Sequence, residues 1–218
     1  MNDGVILIDT AGPVVGVAAW GKRTFVASER IVAGADGWLT PQLAEALDAA
    51  GAVGRIGVVI GPGTFTGLRV GIAHALGLGL ALGVENAPIS SLALRAAAMP
   101  GRERVLSLLD ARKGRVYAGW FDTRGDVPVA LGPELDVAPE VLISSALSSG
   151  VAGSAVATGE GAVVFCETLL RAGFTVADEA ARSPVEWGRA LVLAARLTPL
   201  EQIQPQYIRD SDAVPSVV

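Results

Sequence analysis

Apolar and polar positions follow two periods along the chain, and the changes between them mark its elements. Residues 5–8 are a short apolar run closed by Asp9. Ala11, Gly12 and Pro13 then make a turn, and residues 14–20 read as a second strand. Gly21 and Lys22 turn the chain again and residues 24–29 predict a third strand, so the chain opens as an antiparallel meander. The period then becomes helical: Leu39, Leu43, Ala46, Leu47 and Ala50 share one face, with Gln42, Glu45 and Asp48 opposite. Thr40 is placed to cap this helix, Pro41 suits its first position and Gly51 ends it. Residues 55–60 predict a buried strand, the loop GPGTFTG follows at 61–67, and a second long helix runs from about residue 67 to 82. The order is βββαβα.

The same order starts again at an offset of about one hundred residues. Residues 105–109 end in Asp110 as the first strand ends in Asp9, and residues 115–121 follow across a turn, with Trp120 in the place of Trp20. A strand at 127–131, a helix at 139–147, a short strand near Ala155 and a helix at 163–172 complete the second half. A long fixed offset reads as duplication of a supersecondary unit. The predicted fold is α/β, with two tandem ribonuclease H-like lobes of the actin-like ATPase (ASKHA) type, each a mixed sheet with flanking helices, over residues 1–101 and 102–218. Ser183, Pro184 and Glu186 form a capping box that predicts a helix over 183–198, free to pack back on the first lobe. Beyond Pro199, Tyr207, Ile208 and Arg209 lie in an extended stretch.

Composition narrows the function. Of 218 residues 51% are hydrophobic but only 5% aromatic, so the apolar excess lies in Ala, Gly and Val. Seventeen Lys+Arg against 22 Asp+Glu leave a charge of -5, which argues against gripping nucleic acid through a broad basic surface. The single Cys166 excludes an intrachain disulfide and a multi-cysteine zinc site, and fits a reducing compartment. The acidic start, Met1, Asn2, Asp3, does not resemble a signal peptide, and the charge-free stretch 70–84 falls short of the roughly 20 residues of a membrane span. A cytoplasmic protein without membrane contact is expected.

Gly61, Gly63, Thr64, Thr66 and Gly67 form a candidate anion- or nucleotide-binding loop, because free N–H groups and the helix dipole favour an anion between strand and helix. It matches neither a Walker A loop nor a dinucleotide fingerprint, and the other reading is a tight turn whose glycines supply unusual backbone angles. Asp9 and Asp110 end equivalent strands, where ATPases of this fold hold a metal nucleotide, yet the loops after them lack the Gly, Ser and Thr that wrap phosphates. A two-metal nuclease needs more carboxylates than Asp9 and Glu45 offer. His74 is the only histidine and stands alone in an apolar helix, so neither a metal centre nor a Ser-His-Asp or Cys-His mechanism is assembled. The stretch 70–84 has no solvated stripe, and Gly71, Ala75 and Gly79 recur every four residues as a flat ridge. Either the protein's own first helix and sheet cover this helix, or the two helices form a protein interface.

LIDTAGPVVGVAAW, GPGTFTGLRVGIAHALGLGLAL, PISSLALRA, LLDARKGRVYAGWF and PQYIR together resemble the TsaB (YeaZ) family, across most of the chain outside residues 125–180. The resemblance implies a non-catalytic subunit of the bacterial machinery that places threonylcarbamoyl on adenosine 37 of tRNA. The catalytic relative TsaD holds a metal through histidines after its own glycine loop and helix; Pro88, Ile89, Ser90, Ser91 and Leu92 stand here instead. The implied partners are TsaD, docked on the first-lobe helices, the ATPase TsaE at their junction, a second copy when TsaD is absent, and tRNA only indirectly. No cofactor is expected for the subunit alone, with ATP bound by the complex. Carried onto this sequence, the interface comprises Leu39, Leu43, Leu47, Leu68, Gly71, Ile72, Ala75 and Gly79. The competing reading is an actin-like phosphotransferase or ATPase with Asp9 and Asp110 at the metal nucleotide.

Overall fold

The computed structural model describes residues 4–31 and 34–208, so Arg209 of the extended stretch lies outside the described residues. The first half comprises β1 (Gly4–Asp9), β2 (Val14–Trp20), β3 (Thr24–Arg30), α1 (Ala35–Ala50), β4 (Val53–Gly61), α2 (Phe65–Leu82), β5 (Asn86–Ser90) and α3 (Ser91–Ala96). The second comprises β6 (Val105–Arg112), β7 (Arg115–Asp122), β8 (Val129–Ala130), β9 (Leu135–Val137), α4 (Pro139–Ser148), β10 (Val156–Thr158), α5 (Glu160–Val164), α6 (Cys166–Arg171), β11 (Thr175–Ala177), α7 (Glu179–Arg182) and α8 (Arg189–Ala194).

The duplication is visible in the sheets. The first has the order β3-β2-β1-β4-β5, with β1 antiparallel to β2 and parallel to β4; the second has β11-β10-β6-β7-β8, with β6 antiparallel to β7 and parallel to β10. Val5 pairs with Trp20 and Leu106 with Trp120, so the two tryptophans occupy matching rungs. This is the two-lobed, ribonuclease H-like α/β architecture expected. The second lobe is the less regular: β8 has two residues, β9 pairs beside it on β7, and the helix expected over 163–172 breaks at Phe165 into α5 and α6.

Two expected helix ends are corrected. α1 starts five residues before Thr40, at Ala35 after a left-handed Gly34, because Leu39 is buried in the core and draws the preceding turn into the helix. Pro41 therefore lies inside α1; the carbonyl it cannot bond is that of Gly37, which is exposed to solvent. The capped helix at 183–198 is instead a 3-10 turn at Pro184–Trp187, followed by α8 ending at Ala194. Ser183 Oγ lies 2.9 Å from Ser28 Oγ rather than capping a helix. The break follows from close packing on the first sheet. Gly16 leaves room for Val185, Gly57 for Val192, and a side chain at Gly188 would strike Leu7 and Leu94.

Candidate functional site

The end of β1, the last turn of α3 and the start of α5 meet between the lobes. Asp9 Oδ1 accepts from Ala11 N at 2.9 Å and Oδ2 from Arg95 Nη1 at 3.2 Å. Arg95 Nη1 also donates to Ser91 O at 3.0 Å, Nη2 donates to Glu160 Oε1 at 2.6 Å, and Nε donates to Glu160 Oε2. The side chains of Asp9 and Arg95 are 0% exposed and that of Glu160 is 2% exposed. Burial alone would lower the Arg95 pKa, but Glu160 and Asp9 more than offset this and hold it above the ordinary arginine value. The backbone is shaped to admit the triad. A Cβ on Gly12 would lie 2.7 Å from Glu160 Oε1 and 2.9 Å from Arg95 Nη2, and Gly159 adopts φ +92° beside Arg95. Arg95 thus places a guanidinium of the first lobe between a carboxylate of each lobe.

The carboxylates expected at a metal nucleotide therefore do different work. Asp9 is taken by Arg95. Asp110 turns back to its own hairpin, where Oδ1 accepts from Arg112 N at 2.9 Å and Oδ2 lies 3.8 Å from Arg112 Nη1. Glu45 is an exposed partner of Arg23. Among the described residues no three His, Cys, Asp or Glu side chains cluster as a metal site.

The glycine loop serves close packing. A Cβ on Gly63 would lie 2.6 Å from Ala11 O, one on Gly67 2.5 Å from Thr64 Oγ1, and ones on Gly61 and Gly71 would strike Gln206 O and Thr10 Oγ1. Thr64 N donates to Ala11 O at 2.8 Å and Thr10 Oγ1 to Gly67 O at 2.6 Å, fastening the loop to the turn after β1. Thr64, Thr66, Gly67, Thr10 and Arg112 line a cleft of about 260 Å³ beside it. Among the described residues, the buried polar side-chain atoms left unpaired belong to Asn86 and Thr158, not to this cleft. Ser90 and Ser91 continue the fastening: Ser91 Oγ donates to Pro62 O, while Ser90 Oγ accepts from Leu92 N and Ala93 N at 3.2 Å and donates to Glu134 of the second lobe. Burial pushes the Glu134 carboxyl above its ordinary range, against the opposing hydrogen bond from Ser90.

Most of the expected interface residues point inward. Leu39, Leu68 and Ala75 are 0% exposed, Leu43 and Ile72 5%, and Gly71 and Gly79 are buried; of that set only Leu47 is half-buried at the surface. The outer face is built from the neighbouring positions. Thr40, Leu43, Ala44 and Leu47 of α1 and Ala73, His74, Gly77 and Leu78 of α2 line an apolar groove of about 510 Å³. Beside it Leu80 is 78% exposed. α2 carries two ridges of small residues, 71/75/79 and 73/77/81, about 200° apart at roughly 100° per residue. The first packs against Thr10 and Asn86, and the second faces out. His74 Nδ1 lies 2.9 Å from Val70 O, its own helix's backbone. By length and composition α2 is the one described helix able to cross a membrane, but its inner face lies on the first sheet, as the crossover between β4 and β5.

Fold and centre define a class: a two-lobed actin-like protein whose interlobe carboxylate is neutralised by an arginine of its own chain. Comparison with known proteins narrows it. Residues 36–180 match the family model for TsaD, tRNA N6-adenosine threonylcarbamoyltransferase. An uncharacterised protein of Mycobacterium leprae is 38% identical over 160 residues, covering 69% of this chain; the match spans 43% of that protein's own length. The Escherichia coli tRNA threonylcarbamoyladenosine biosynthesis protein TsaB is 27% identical over 227 residues, covering 96% of each chain. The solved structure of YeaZ from Pseudomonas aeruginosa superposes with a TM-score of 0.71 at 26% identity, covering 94% of this chain and 99% of that one. The chain belongs to the TsaB (YeaZ) family.

Arg95 and Glu160, which organise the centre, are absent from the sequence-based site. One signal stood in the sequence: Arg95 is the only charge in the apolar run LALRAAAM. A lone charge in a buried helix needs a buried partner.

Proposed function

We propose that the chain is a non-catalytic scaffold subunit in the threonylcarbamoyl modification of tRNA, supporting a TsaD subunit that docks in the groove between α1 and α2. The observation that carries the reading is the Arg95 triad. In a working actin-like enzyme the carboxylate at the end of β1 is available to a metal nucleotide, whereas Asp9 is buried against a guanidinium already in place. Competing for that site would require displacing a fully buried, multiply bonded arginine.

The docking surface follows from α2. An apolar groove of about 510 Å³ with Leu80 78% exposed beside it is a surface that a helical partner would cover. Its small outer ridge allows close approach of another helix. A second copy occupies the same groove when TsaD is absent. TsaE and ATP join at the assembled complex rather than at this chain alone, and the protein works in the cytoplasm with its tRNA substrate.

Reconstitution tests this. The purified chain transfers no threonylcarbamoyl to unmodified tRNA, whereas adding it to TsaD and TsaE raises their transfer. Transfer by the chain alone, or a reconstituted rate indifferent to it, rejects the proposal.

A further inference from the structure

Three side chains at the start of α2 form an exposed stack that neither the triad nor the groove uses. The Phe65 and Tyr207 ring centroids are 5.5 Å apart with planes 22° from parallel. Arg69 Cζ lies 3.7 Å from the Phe65 centroid, and Arg69 Nε donates to Tyr207 Oη at 3.2 Å. Both rings nevertheless remain open to water, Phe65 at 47% and Tyr207 at 42%. Tyr207 arrives on a strapped segment: Gln206 N donates to Ile60 O at 2.7 Å, and Gly61 leaves the space through which Gln206 passes.

Flat apolar faces held rigid in water have already met the ordering cost that a stacking contact would otherwise incur. Among the described residues Arg69 makes no ion pair. Arg112, 68% exposed, lines the cleft beside Phe65, together with Thr64 and Thr66. Ring faces combined with guanidinium groups fit a planar base linked to phosphate, since any base can stack on an aromatic ring and arginine binds phosphate oxygens in a planar fork. An apolar protein side chain would cover the rings but leave the arginine charge unanswered.

We propose that Phe65, Tyr207 and Arg69 form a stacking site for an unpaired nucleobase of RNA, with an adjoining phosphate on Arg69. The inference rests on the tRNA-modification reading for the kind of nucleic acid, and it makes contact with tRNA direct rather than mediated by other subunits. The charge of -5 limits the contact to one that is weak, local and sensitive to salt.

The test is fluorescence anisotropy of a short labelled single-stranded RNA titrated with the full chain at low salt. Phe65→Leu, which keeps apolar bulk without a ring face, weakens binding about 5- to 100-fold, while Phe65→Trp binds as well as the parent or better. Arg69→Ala weakens binding and lowers the salt dependence by about one phosphate. No binding by the parent chain, or equal binding by the Leu and Trp variants, overturns the proposal. So does a Phe65→Leu variant that retains RNA binding but no longer co-purifies with TsaD, which would make the stack a protein contact. The titration uses the chain alone, so failure of the scaffold reading, visible only in TsaD association, is a separate result.

Discussion

Replacing Arg95 by Met keeps the unbranched apolar stem and removes the guanidinium with its charge. Four hydrogen bonds disappear, and Asp9 and Glu160 are left as carboxylates 0% and 2% exposed with no cation. Removing one partner of a buried ion pair costs about 3–5 kcal/mol, and here one guanidinium serves two carboxylates, so the upper part of that range is expected. At about 2–4 °C per kcal/mol for a chain of this size, the melting temperature falls by roughly 8–20 °C. Urea denaturation at pH 7 measures the loss, and adding Asp9→Asn and Glu160→Gln to Arg95→Met recovers most of it. A cost below about 1 kcal/mol would refute the reasoning.

Smaller perturbations test the joints around this centre. Gly71→Ala drives a methyl into Thr10 Oγ1 and breaks its bond to Gly67 O, costing about 1–3 kcal/mol in chemical denaturation. Ser90→Ala removes the α3 cap and the bond to Glu134, for a loss of about 1 kcal/mol by the same assay. Glu134, whose carboxyl is held high by burial, contributes stability that is present below its ordinary range and lost as pH rises through its folded value. Thermal melts of Glu134→Gln should therefore vary less with pH above about 4.5, and a variant curve parallel to the parent's would contradict this.

Much of the fold was legible because strand alternation and the recurrence of Asp9 and Trp20 as Asp110 and Trp120 are local signals, and the sheets place those residues on matching rungs. What failed to show had physical causes. Helix α2 has no polar stripe between residues 70 and 84 to set its phase, so its sequence favours the ridge at 71/75/79 as the outer one, whereas 73/77/81 holds that place. The capping box at Ser183 is a local preference that packing of Val185 and Gly188 on the first sheet overrides. The partnership of Arg95 with Asp9 and Glu160 spans 86 and 65 residues of chain, and no local pattern records a contact at that separation.

The docking claim is tested most directly at Gly77. A side chain there meets nothing within 4 Å, so Gly77→Glu puts a charge in the α1/α2 groove without disturbing the fold, whereas Ala75→Glu buries its charge in the core and unfolds the chain. Size-exclusion chromatography of a mixture with the TsaD of the same genome should show a complex with the parent chain. With Gly77→Glu the complex should be absent, although the circular dichroism spectrum and melting temperature remain those of the parent. A Gly77→Glu chain that melts like the parent and still co-elutes with TsaD contradicts the account.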